Sequence, residues 1–428
     1  MLNGVFGTLA LLSLLLLLWQ WLAARRFPLH RRLPPTDFHP GVTLLKPLKG
    51  SDPFTEACLR TWFEQDYPGP IQILFAVASA DDPVCAIVRD LIQHFPDRDA
   101  QLIICGPLRG ANAKVSKLCE IEKLARHDLL VISDADVKAP PDYLRNAVAP
   151  LQNPQTGLVN SFYILANPTT SAMTWEAFAI NVDFWSQVLQ ACSLKPMDFA
   201  LGAVMLIRRQ QLREIGGFEA LADCLADDYQ LGNRIRRRGY KLEICPVVVE
   251  CWSHPMGWRE VWNHQLRWAR TVRVCQPVPY FFSILSNPTL WPLLWFLASF
   301  SSSSSFSSST LLSASFLLLC LATRFLFSRD LYRRVSSVQC SVISLSKPTS
   351  SIEHPETSAP NHKSSIINHK FLLPFLKDLL QLPIWAGAFL GNTIEWRGQK
   401  MKLRPDGTLT PARSASSISK SEIINPNS

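Results

Sequence analysis

Two aspartates, separated by one residue, follow an apolar run in the middle of the chain. The segment from Leu129 to Asp136 is LLVISDAD, which predicts a buried strand that ends just before Asp134 and Asp136. Because the chain turns after such a strand, both carboxylates can reach one point. Oxygen ligands of this kind suit Mg²⁺ or Mn²⁺, which neutralise the charge that develops on a diphosphate leaving group. The alternative is a turn with a solvated pair of aspartates.

A second acidic pair, Asp81 and Asp82, follows the apolar run Ile71–Ala78. An aspartate at the carboxyl end of a strand can accept hydrogen bonds from the base or ribose of a nucleotide. The alternative is a helix N-cap, because Pro83 suits the first position of a helix. Of the two residues, we favour Asp82 for the ligand.

A third acidic pair, Asp227 and Asp228, lies in a predicted helix over Leu225–Arg238. On such a helix Asp228 shares a face with the apolar Leu231 and Ile235. A carboxylate on an inward face is costly unless it has a partner or a function. General base catalysis, the removal of a proton from an attacking hydroxyl, would be such a function. The alternative is an acidic residue favoured by the helix dipole, which accounts for Asp227 better than for Asp228.

A cluster of larger polar and aromatic side chains follows in HQLRW. On a predicted helix over Trp258–Val274, His264, Arg267 and Trp268 are neighbours at spacings of three and four residues. Together they could clamp a pyrophosphate next to the membrane. An amphipathic interfacial helix with an aromatic belt is the alternative, and both descriptions can hold at once.

Three lysines border apolar runs: Lys46, Lys49 and Lys114. Each could contact a phosphate group. For each one taken alone, we expect a solvated position on the surface.

The composition indicates a protein that lies partly in lipid. Of its 428 residues, 47% are hydrophobic and only 18% are charged, against about 25% charged in typical soluble domains. The net charge of +9 fits an anionic lipid or a phosphorylated substrate. Nucleic acid is the weakest candidate partner, since the chain has neither zinc-finger spacing nor basic runs interleaved with aromatics. Its eleven cysteines are scattered, which indicates buried, reduced thiols rather than a disulfide framework.

Strand-like and helical patterns alternate between residues 41 and 275, which predicts an α/β domain with a largely parallel sheet. The predicted strands are Val42–Leu48, Ile71–Ala78, Gln101–Cys105, Leu129–Ser133, Leu158–Tyr163, Ala203–Ile207 and Leu242–Val249. The predicted helices are Phe54–Gln65, Pro83–Phe95, Ala113–Arg126, Ala172–Ala191, Arg209–Ile215, Leu225–Arg238 and Trp258–Val274.

The amino-terminal segment, residues 1–24, is predicted to be a transmembrane anchor. Its apolar run from Gly4 to Trp21 would span about 27 Å as a helix. No Lys or Arg precedes the run, whereas Arg25 and Arg26, then Arg31 and Arg32, follow it, so the positive-inside rule places the body of the protein in the cytoplasm. A cleaved signal peptide is the alternative.

Apolar segments return after residue 277. Tyr280–Phe300 and Thr310–Phe327 are long enough to cross or enter a bilayer, and a serine-rich loop separates them within 277–327. Residues 336–369 are predicted to be a disordered linker and 411–428 a disordered tail. The segment 371–391 is apolar but contains Lys377 and Asp378, which favours either a membrane helix or an interfacial one.

These motifs occur in the order found in family 21 of the glycosyltransferases, which the chain resembles over residues 1–280. The motifs are GVTLLKPLKGSDP (Gly41–Pro53), ADDP, SDAD, ADDY and HQLRW. The family includes the ceramide glucosyltransferases and bacterial hopanoid-associated enzymes. The EWRG segment, Glu395–Gly398, is similar to the bacterial branch.

The resemblance implies a GT-A catalytic domain, a UDP-sugar donor (usually UDP-glucose), a divalent metal ion and inversion at the anomeric carbon. The family's first two aspartates correspond to Asp82 and Asp134, and its catalytic base to Asp228. Its RW pair corresponds to Arg267 and Trp268. His264 departs from the family's Gln or Arg, and it carries positive charge only when protonated.

The sequence therefore predicts a membrane-bound, inverting glycosyltransferase whose catalytic domain faces the cytoplasm. Asp134 and Asp136 would hold Mn²⁺ or Mg²⁺, while Asp82, Asp134, His264, Arg267 and Trp268 would bind the donor. Asp228 would deprotonate the primary hydroxyl of a lipid, with ceramide as the first candidate. A hopanoid or diacylglycerol glycosyltransferase that uses UDP-GlcNAc is the alternative. A processive polysaccharide synthase or an inactive nucleotide-sugar-binding scaffold are further alternatives, and the first of these would need more membrane spans.

Overall fold

A computed structural model of the chain describes residues 2–301, 307–336, 371–396 and 399–411. The predicted tail beyond Pro411, nearly all of the predicted linker 336–369, the centre of the serine-rich loop, and Arg397 and Gly398 of the EWRG segment lie outside the described residues.

The centre of the molecule is an eight-stranded sheet with the order β3-β2-β1-β4-β7-β6-β8-β5. Its strands are β1 (Val42–Pro47), β2 (Ile71–Val77), β3 (Asp99–Ile104), β4 (Leu129–Ser133), β5 (Val137–Lys138), β6 (Thr156–Leu165), β7 (Val204–Arg208) and β8 (Lys241–Cys251). Every residue of β1, β2 and β4 is buried, which is why these strands are continuous apolar runs.

The sheet is mixed, so the prediction of a largely parallel sheet is wrong for its second half. Strands β1 to β4 pair in parallel, and so do β6 and β8. Strand β7 runs antiparallel to both β4 and β6, and the short β5 runs antiparallel to β8. Burial on both faces gives β7 the same apolar pattern as a parallel strand, so its direction could not be inferred from its residues.

Helices cover both faces of the sheet. They are α2 (Thr55–Phe63), α3 (Val84–His94), α4 (Ala113–Ile121), α5 (Tyr143–Val148), α6 (Ser171–Phe178), α7 (Trp185–Cys192), α8 (Arg209–Glu214), α9 (Asp227–Arg237) and α10 (Trp258–Cys275). One π-helical segment, Ala179–Phe184, joins α6 to α7 within the predicted helix over 172–191. Two apolar cores result, one on each side of the sheet.

Within the part of the chain that the structure describes, two helices are long and apolar enough to cross a membrane, α1 (Leu2–Arg26) and a later helix that we label α13 (Ser308–Ser336). The predicted segment Tyr280–Phe300 is not one straight helix. It consists of α11 (Pro277–Phe282) with a short 3₁₀ turn, followed by α12 (Leu290–Ser301), with a bend of 53° between the two parts.

The carboxyl-terminal part begins with α14 (Leu373–Gly387) and ends in a second, three-stranded antiparallel sheet that the sequence analysis missed. We call it the C-terminal sheet; it comprises β9 (Thr393–Trp396), β10 (Gln399–Leu403) and β11 (Leu409–Pro411). A positive φ of 84° at Gly407 allows the tight turn between its last two strands.

Candidate active site

Asp134 and Asp136 occupy the turn between β4 and β5, as predicted from the strand that precedes them. The backbone N–H of Asp134 donates to the carbonyl of Ala203, at 3.1 Å, just before β7 begins. The carbonyl of Asp136 accepts a bond from the backbone of Trp252 at 3.0 Å. The turn is thereby fixed to two other strands at the carboxyl edge of β4.

Lys114 lies at the centre of the acidic cluster and is only 7% exposed. Its Nζ is 2.7 Å from Oδ1 of Asp134 and 3.4 Å from Oδ2 of Asp227. Burial lowers the pKa of this lysine, but the two carboxylates outweigh burial and raise it. The expectation of a solvated surface lysine is wrong here, because α4 buries the whole stem while its amine reaches the carboxylates.

Lys46 is also buried, at 0% exposure, so the surface expectation is wrong for it as well. Its Nζ donates to Oγ of Ser133 at 3.1 Å and to the carbonyl of Asp134 at 2.6 Å. Burial lowers the pKa of Lys46 to about 8. Lys49, by contrast, is exposed as expected.

The electrostatic environment of Asp136 bears on whether a divalent cation fits this turn. Burial and the neighbouring Asp134 raise the pKa of Asp136 to about 6. Lys46 and Lys114 oppose this increase without cancelling it. Among the residues that the structure describes, no set of three or more Asp, Glu, His or Cys side chains forms a metal site. A pair of carboxylates is nevertheless the donor set with which Mg²⁺ and Mn²⁺ bind nucleotide phosphates, so the residues fit such an ion.

Asp227 and Asp228 begin α9 on the opposite side of Lys114. Asp227 is the more buried of the two and also accepts a weak bond from the side-chain amide of Asn112 at 3.4 Å. Asp228 packs on Gly202, where an added Cβ would lie 2.8 Å from its Oδ2. Gly202 therefore provides the space that the Asp228 carboxylate fills.

The electrostatic environment of Asp228 suits a general base. Burial, followed by repulsion from Asp227, raises the pKa of Asp228 to about 6. Lys114 partly opposes this increase. A base with a pKa near the working pH can both accept and release a proton readily.

Asp82 lies at the carboxyl end of β2, two strands away from Asp134 in the sheet. Its carboxylate accepts hydrogen bonds from the backbone of Gly50, at 3.0 Å, and of Val84, at 3.1 Å. It therefore performs the capping role that the sequence left open, and it also fixes the loop after β1. Its contact with a nucleotide stays a prediction.

His264 points at a buried glutamate that the sequence analysis did not identify. Its Nδ1 lies 2.6 Å from Oε1 of Glu176, which is 1% exposed and also accepts a bond from Gln265 at 2.9 Å. The imidazole ring packs edge-on against Trp268 at 4.6 Å. A carboxylate that holds one ring nitrogen fixes the orientation of the other.

A chain of aromatic rings extends from this helix to Tyr163, near the aspartates. Trp268 contacts Phe184 at 6.2 Å between ring centroids, and Phe184 contacts Tyr163 at 5.5 Å. Tyr163, on β6, is close enough to Asp136 and Asp228 for their charges to affect its pKa, which burial raises. His264 and Trp268 are thus connected through packed rings to Tyr163, which lies within electrostatic range of the acidic cluster.

Arg267 lines a pocket that is separate from the acidic cluster. This pocket of about 230 Å³ lies between α10 and the C-terminal sheet and is also lined by Asn263, Leu266, Arg270, Thr393, Ile394, Glu395 and Lys400.

The structure thus brings Asp134, Asp136 and Asp228 together, with His264 and Trp268 connected to them by the aromatic chain. Asp82 lies two strands away from this group, and Arg267 lines the pocket beside the C-terminal sheet. Sequence reasoning assigned Asp227 only a helix-dipole role and did not foresee its contact with Lys114, and it missed Glu176, Tyr163 and the buried state of the two lysines. One local signal pointed to the buried position of Lys114. Asn112 is an N-cap whose Oδ1 accepts a bond from the backbone N–H of Lys114 at 3.0 Å, so a helix starts immediately before this lysine.

Curated ceramide glucosyltransferases are similar to part of this chain. The chain is 25% identical to ceramide glucosyltransferase 3 of Caenorhabditis elegans over 55% of its length and 49% of that protein. It is 34% identical to the ceramide glucosyltransferase of Candida albicans over 28% of its length and 25% of that protein. The chain thus spans about half the length, or less, of these curated relatives.

A solved structure shows the same fold. It is a mannosyltransferase from Pyrobaculum calidifontis in complex with GDP-mannose and Mn²⁺, with a TM-score of 0.51 and 22% identity. The match covers 79% of this chain and 98% of that one. The α/β domain is accordingly a GT-A fold. The profile of glycosyl transferase family 21 matches residues 5–409, and the chain belongs to that family.

Proposed function

We propose that this protein is a membrane-bound, inverting hexosyltransferase that moves glucose from UDP-glucose to the primary hydroxyl of ceramide. The observation that carries the proposal is an acidic cluster at one edge of the GT-A sheet. Lys114 contacts Asp134 and Asp227 there, and Asp136 and Asp228 lie close enough for these charges to affect their pKa values. The names of the curated relatives support ceramide as the acceptor.

In the proposed reaction, Asp228 accepts the proton of the lipid hydroxyl as its oxygen attacks the anomeric carbon. A bond forms between that oxygen and the carbon while the bond from the carbon to the diphosphate breaks, so UDP leaves and the configuration inverts. The raised pKa of Asp228 favours proton uptake, and Gly202 leaves the space that its carboxylate occupies.

Asp134 and Asp136 would hold a divalent metal ion, which supplies positive charge to the diphosphate as it leaves. Lys114 adds a fixed positive charge beside Asp134. His264 and Trp268 would form the wall on the donor side, with His264 oriented by Glu176. Asp82 would contact the nucleotide from the β2 edge.

The arrangement of the membrane helices supports a cytoplasmic catalytic domain in a multi-pass protein. Trp21 of α1 donates to Asp330 of α13 at 2.7 Å, and Arg334 donates to the carbonyls of Arg25 and Phe27. The two helices therefore run in the same direction, and the basic ends of both lie on the side of the catalytic domain. By the positive-inside rule that side is the cytoplasm.

The test is transfer by the purified protein in lipid nanodiscs. We expect labelled UDP-glucose, Mn²⁺ and ceramide to yield β-glucosylceramide, identified by mass spectrometry and by its anomeric configuration. Diacylglycerol and hopanoid acceptors and UDP-GlcNAc are compared in parallel. A product confined to one of those, or a ladder of growing glycan chains, would contradict the proposed substrate or reaction.

Replacement of the base separates chemistry from binding. Asp228→Asn keeps the shape of the side chain but cannot accept the proton, so turnover should fall by a factor of about 10² or more. Binding of UDP-glucose, measured by calorimetry, should be retained. The exposed Asp81→Asn serves as the matched control and should retain full turnover. Near-normal turnover of Asp228→Asn would remove Asp228 as the base.

A further inference from the structure

The C-terminal sheet is hydrogen-bonded to the loop that leads into α9, here called loop 223–226. The backbone N–H of Leu409 donates to the carbonyl of Asp223 at 2.8 Å, and that of Leu225 donates to the carbonyl of Gly407 at 3.1 Å. Residues 223–225 therefore extend the sheet beyond β11. Asp227 and Asp228 follow within a few residues.

An apolar cluster seals the contact. Its members come from loop 223–226, from all three strands of the C-terminal sheet, and from the start of α4 and the end of α10. They are Leu225, Ile394, Met401, Leu403 and Leu409, with Ala111 and Val274 packed against them. Leu409 is 3% exposed, so removal of its side chain would leave a cavity in the contact.

Loop 223–226 is held from its inner side as well. The side-chain amide of Asn112 donates to the carbonyl of Cys224 at 2.8 Å, and the carboxylate of Asp223 accepts a bond from the backbone of Ala111 at 2.9 Å. The loop is thus clamped between the start of α4, which carries Lys114, and the C-terminal sheet. Both contacts determine where α9 begins.

The C-terminal sheet is also bonded to the helix that carries His264 and Trp268. The guanidinium of Arg270 donates to the carbonyl of Thr393, and that of Arg273 donates to the side chain of Asn392. One small sheet therefore connects α10 to the loop in front of Asp228.

We propose that the C-terminal sheet is a fixed strap that positions the Asp228 carboxylate relative to α10, and that it stays docked throughout turnover. This inference rests on the proposed function, because it assigns the sheet a role toward the base of that reaction. The residues of the strap act through loop 223–226 and do not themselves touch the reacting atoms. Reaction rates are sensitive to such positioning, since a displacement of about 1 Å can cost 10²-fold.

The first variant loosens the strap. Leu409→Ala should lower kcat about tenfold or more at a little-changed KM for the donor, because the base is displaced while donor contacts remain. Hydrogen exchange of the amides in loop 223–226 and the first turn of α9 should become faster. Lys402→Ala, an exposed position on β10, is the matched control and should change neither quantity.

The second variant restores the strap with a covalent bond. Cys224 and Thr408 are antiparallel bridge partners, and the two hydrogen bonds around them define a pair that does not bond directly to each other. The Cα atoms of such a pair lie about 4.5 Å apart, within the range of a disulfide. Thr408→Cys can therefore form a disulfide with the native Cys224, a free thiol.

Oxidation of Leu409→Ala/Thr408→Cys should return kcat and exchange toward the wild-type values, and reduction should reverse the gain. Leu409→Ala/Thr408→Ser cannot cross-link and controls for the substitution. The cross-link is verified by peptide mass mapping. The single variant Thr408→Cys, which keeps the native Leu409, should retain turnover after oxidation if the strap is fixed.

Three results would overturn the strap proposal. They are wild-type kcat and hydrogen exchange in Leu409→Ala, no recovery after cross-linking, or inactivation of Thr408→Cys by oxidation. The last would show that the sheet must undock. If the wild-type protein transfers no sugar to any acceptor, the proposed function fails, while the exchange measurements still decide whether the strap holds the start of α9.

Discussion

At the scale of single residues, a buried lysine and a glycine define the candidate site as much as its aspartates do. Lys114 contacts the carboxylates of Asp134 and Asp227, which lie in separate elements. Gly202 leaves space for the carboxylate of Asp228. Both lie far from Asp228 along the chain. Their substitution therefore tests the geometry of the site without removing any of its aspartates.

Gly202→Ala should lower turnover about 10- to 100-fold while the protein still folds. The added Cβ would lie 2.8 Å from Oδ2 of Asp228, and the flexible end of that side chain can move away at little cost in stability. Steady-state kinetics and thermal unfolding in detergent check the two halves of this expectation. Gly106→Ala, where the new Cβ meets open space, is the control. Full activity of Gly202→Ala would show that the observed position of Asp228 is not required.

Lys114→Ala should lower the free energy of unfolding by roughly 2 kcal/mol, less than for a fully buried ion pair, because the Asp134 side chain is 39% exposed. The substitution leaves Asp134 and Asp227 without their shared cation. Mn²⁺ should restore part of the loss by binding the freed carboxylates. Urea unfolding with and without Mn²⁺ measures both effects, and the exposed Lys49→Ala should stay within about 0.5 kcal/mol of wild type. An unchanged unfolding free energy in Lys114→Ala would refute the bridging role.

At the scale of elements, a buried group of four charges joins the candidate membrane helix α13 to the catalytic domain. Arg324 forms paired hydrogen bonds to Asp183 of the π-helical segment, at 2.8 and 3.0 Å, and also bonds Asp378 of α14. Lys377 lies 2.7 Å from Asp183. All four side chains are at most 8% exposed, and their formal charges cancel.

Arg324→Met should destabilise the protein by about 3–5 kcal/mol, because it leaves two buried carboxylates beside one lysine. Replacement of all four residues by apolar side chains (Arg324→Met, Asp183→Leu, Lys377→Met and Asp378→Leu) should recover most of that loss, since no unpaired charge remains. Unfolding in detergent compares the two variants. Equal stabilities of the single and quadruple variants would show that the pairing of charges is not what matters there.

At the scale of the whole molecule, the strap and the membrane helices place the last described strand, β11, on the same side as the catalytic domain. The C-terminal sheet bonds to loop 223–226, and the basic ends of α1 and α13 meet at that side. The orientation proposed from the positive-inside rule therefore extends to the end of the described chain.

Fusions to the carboxyl terminus test this topology. In a bacterial host we expect a fused green fluorescent protein to be fluorescent and a fused alkaline phosphatase to be inactive, since both would remain in the cytoplasm. Immunoblots of the two fusions control for expression. An active phosphatase with a dark fluorescent fusion would place the catalytic domain outside.

The sequence alone determined the features that are local. The run LLVIS predicted β4 with its observed bounds. The position of the two aspartates in a turn was predicted because a chain must turn after a buried strand. The bounds of α10 were predicted to within one residue, because its apolar and aromatic residues follow a clear helical period. The long apolar runs predicted α1 and α13.

Only the tertiary structure decided which distant residues meet. The antiparallel direction of β7, the pairing of Lys114 with Asp134 and Asp227, and the docking of the C-terminal sheet on loop 223–226 depend on contacts between segments far apart in the chain. Burial gives β7 the same apolar residues in either direction, and a lysine has the same local signature whether solvated or paired. Local patterns record the period and burial of an element, whereas the direction of a strand and the partner of a charge are set by packing.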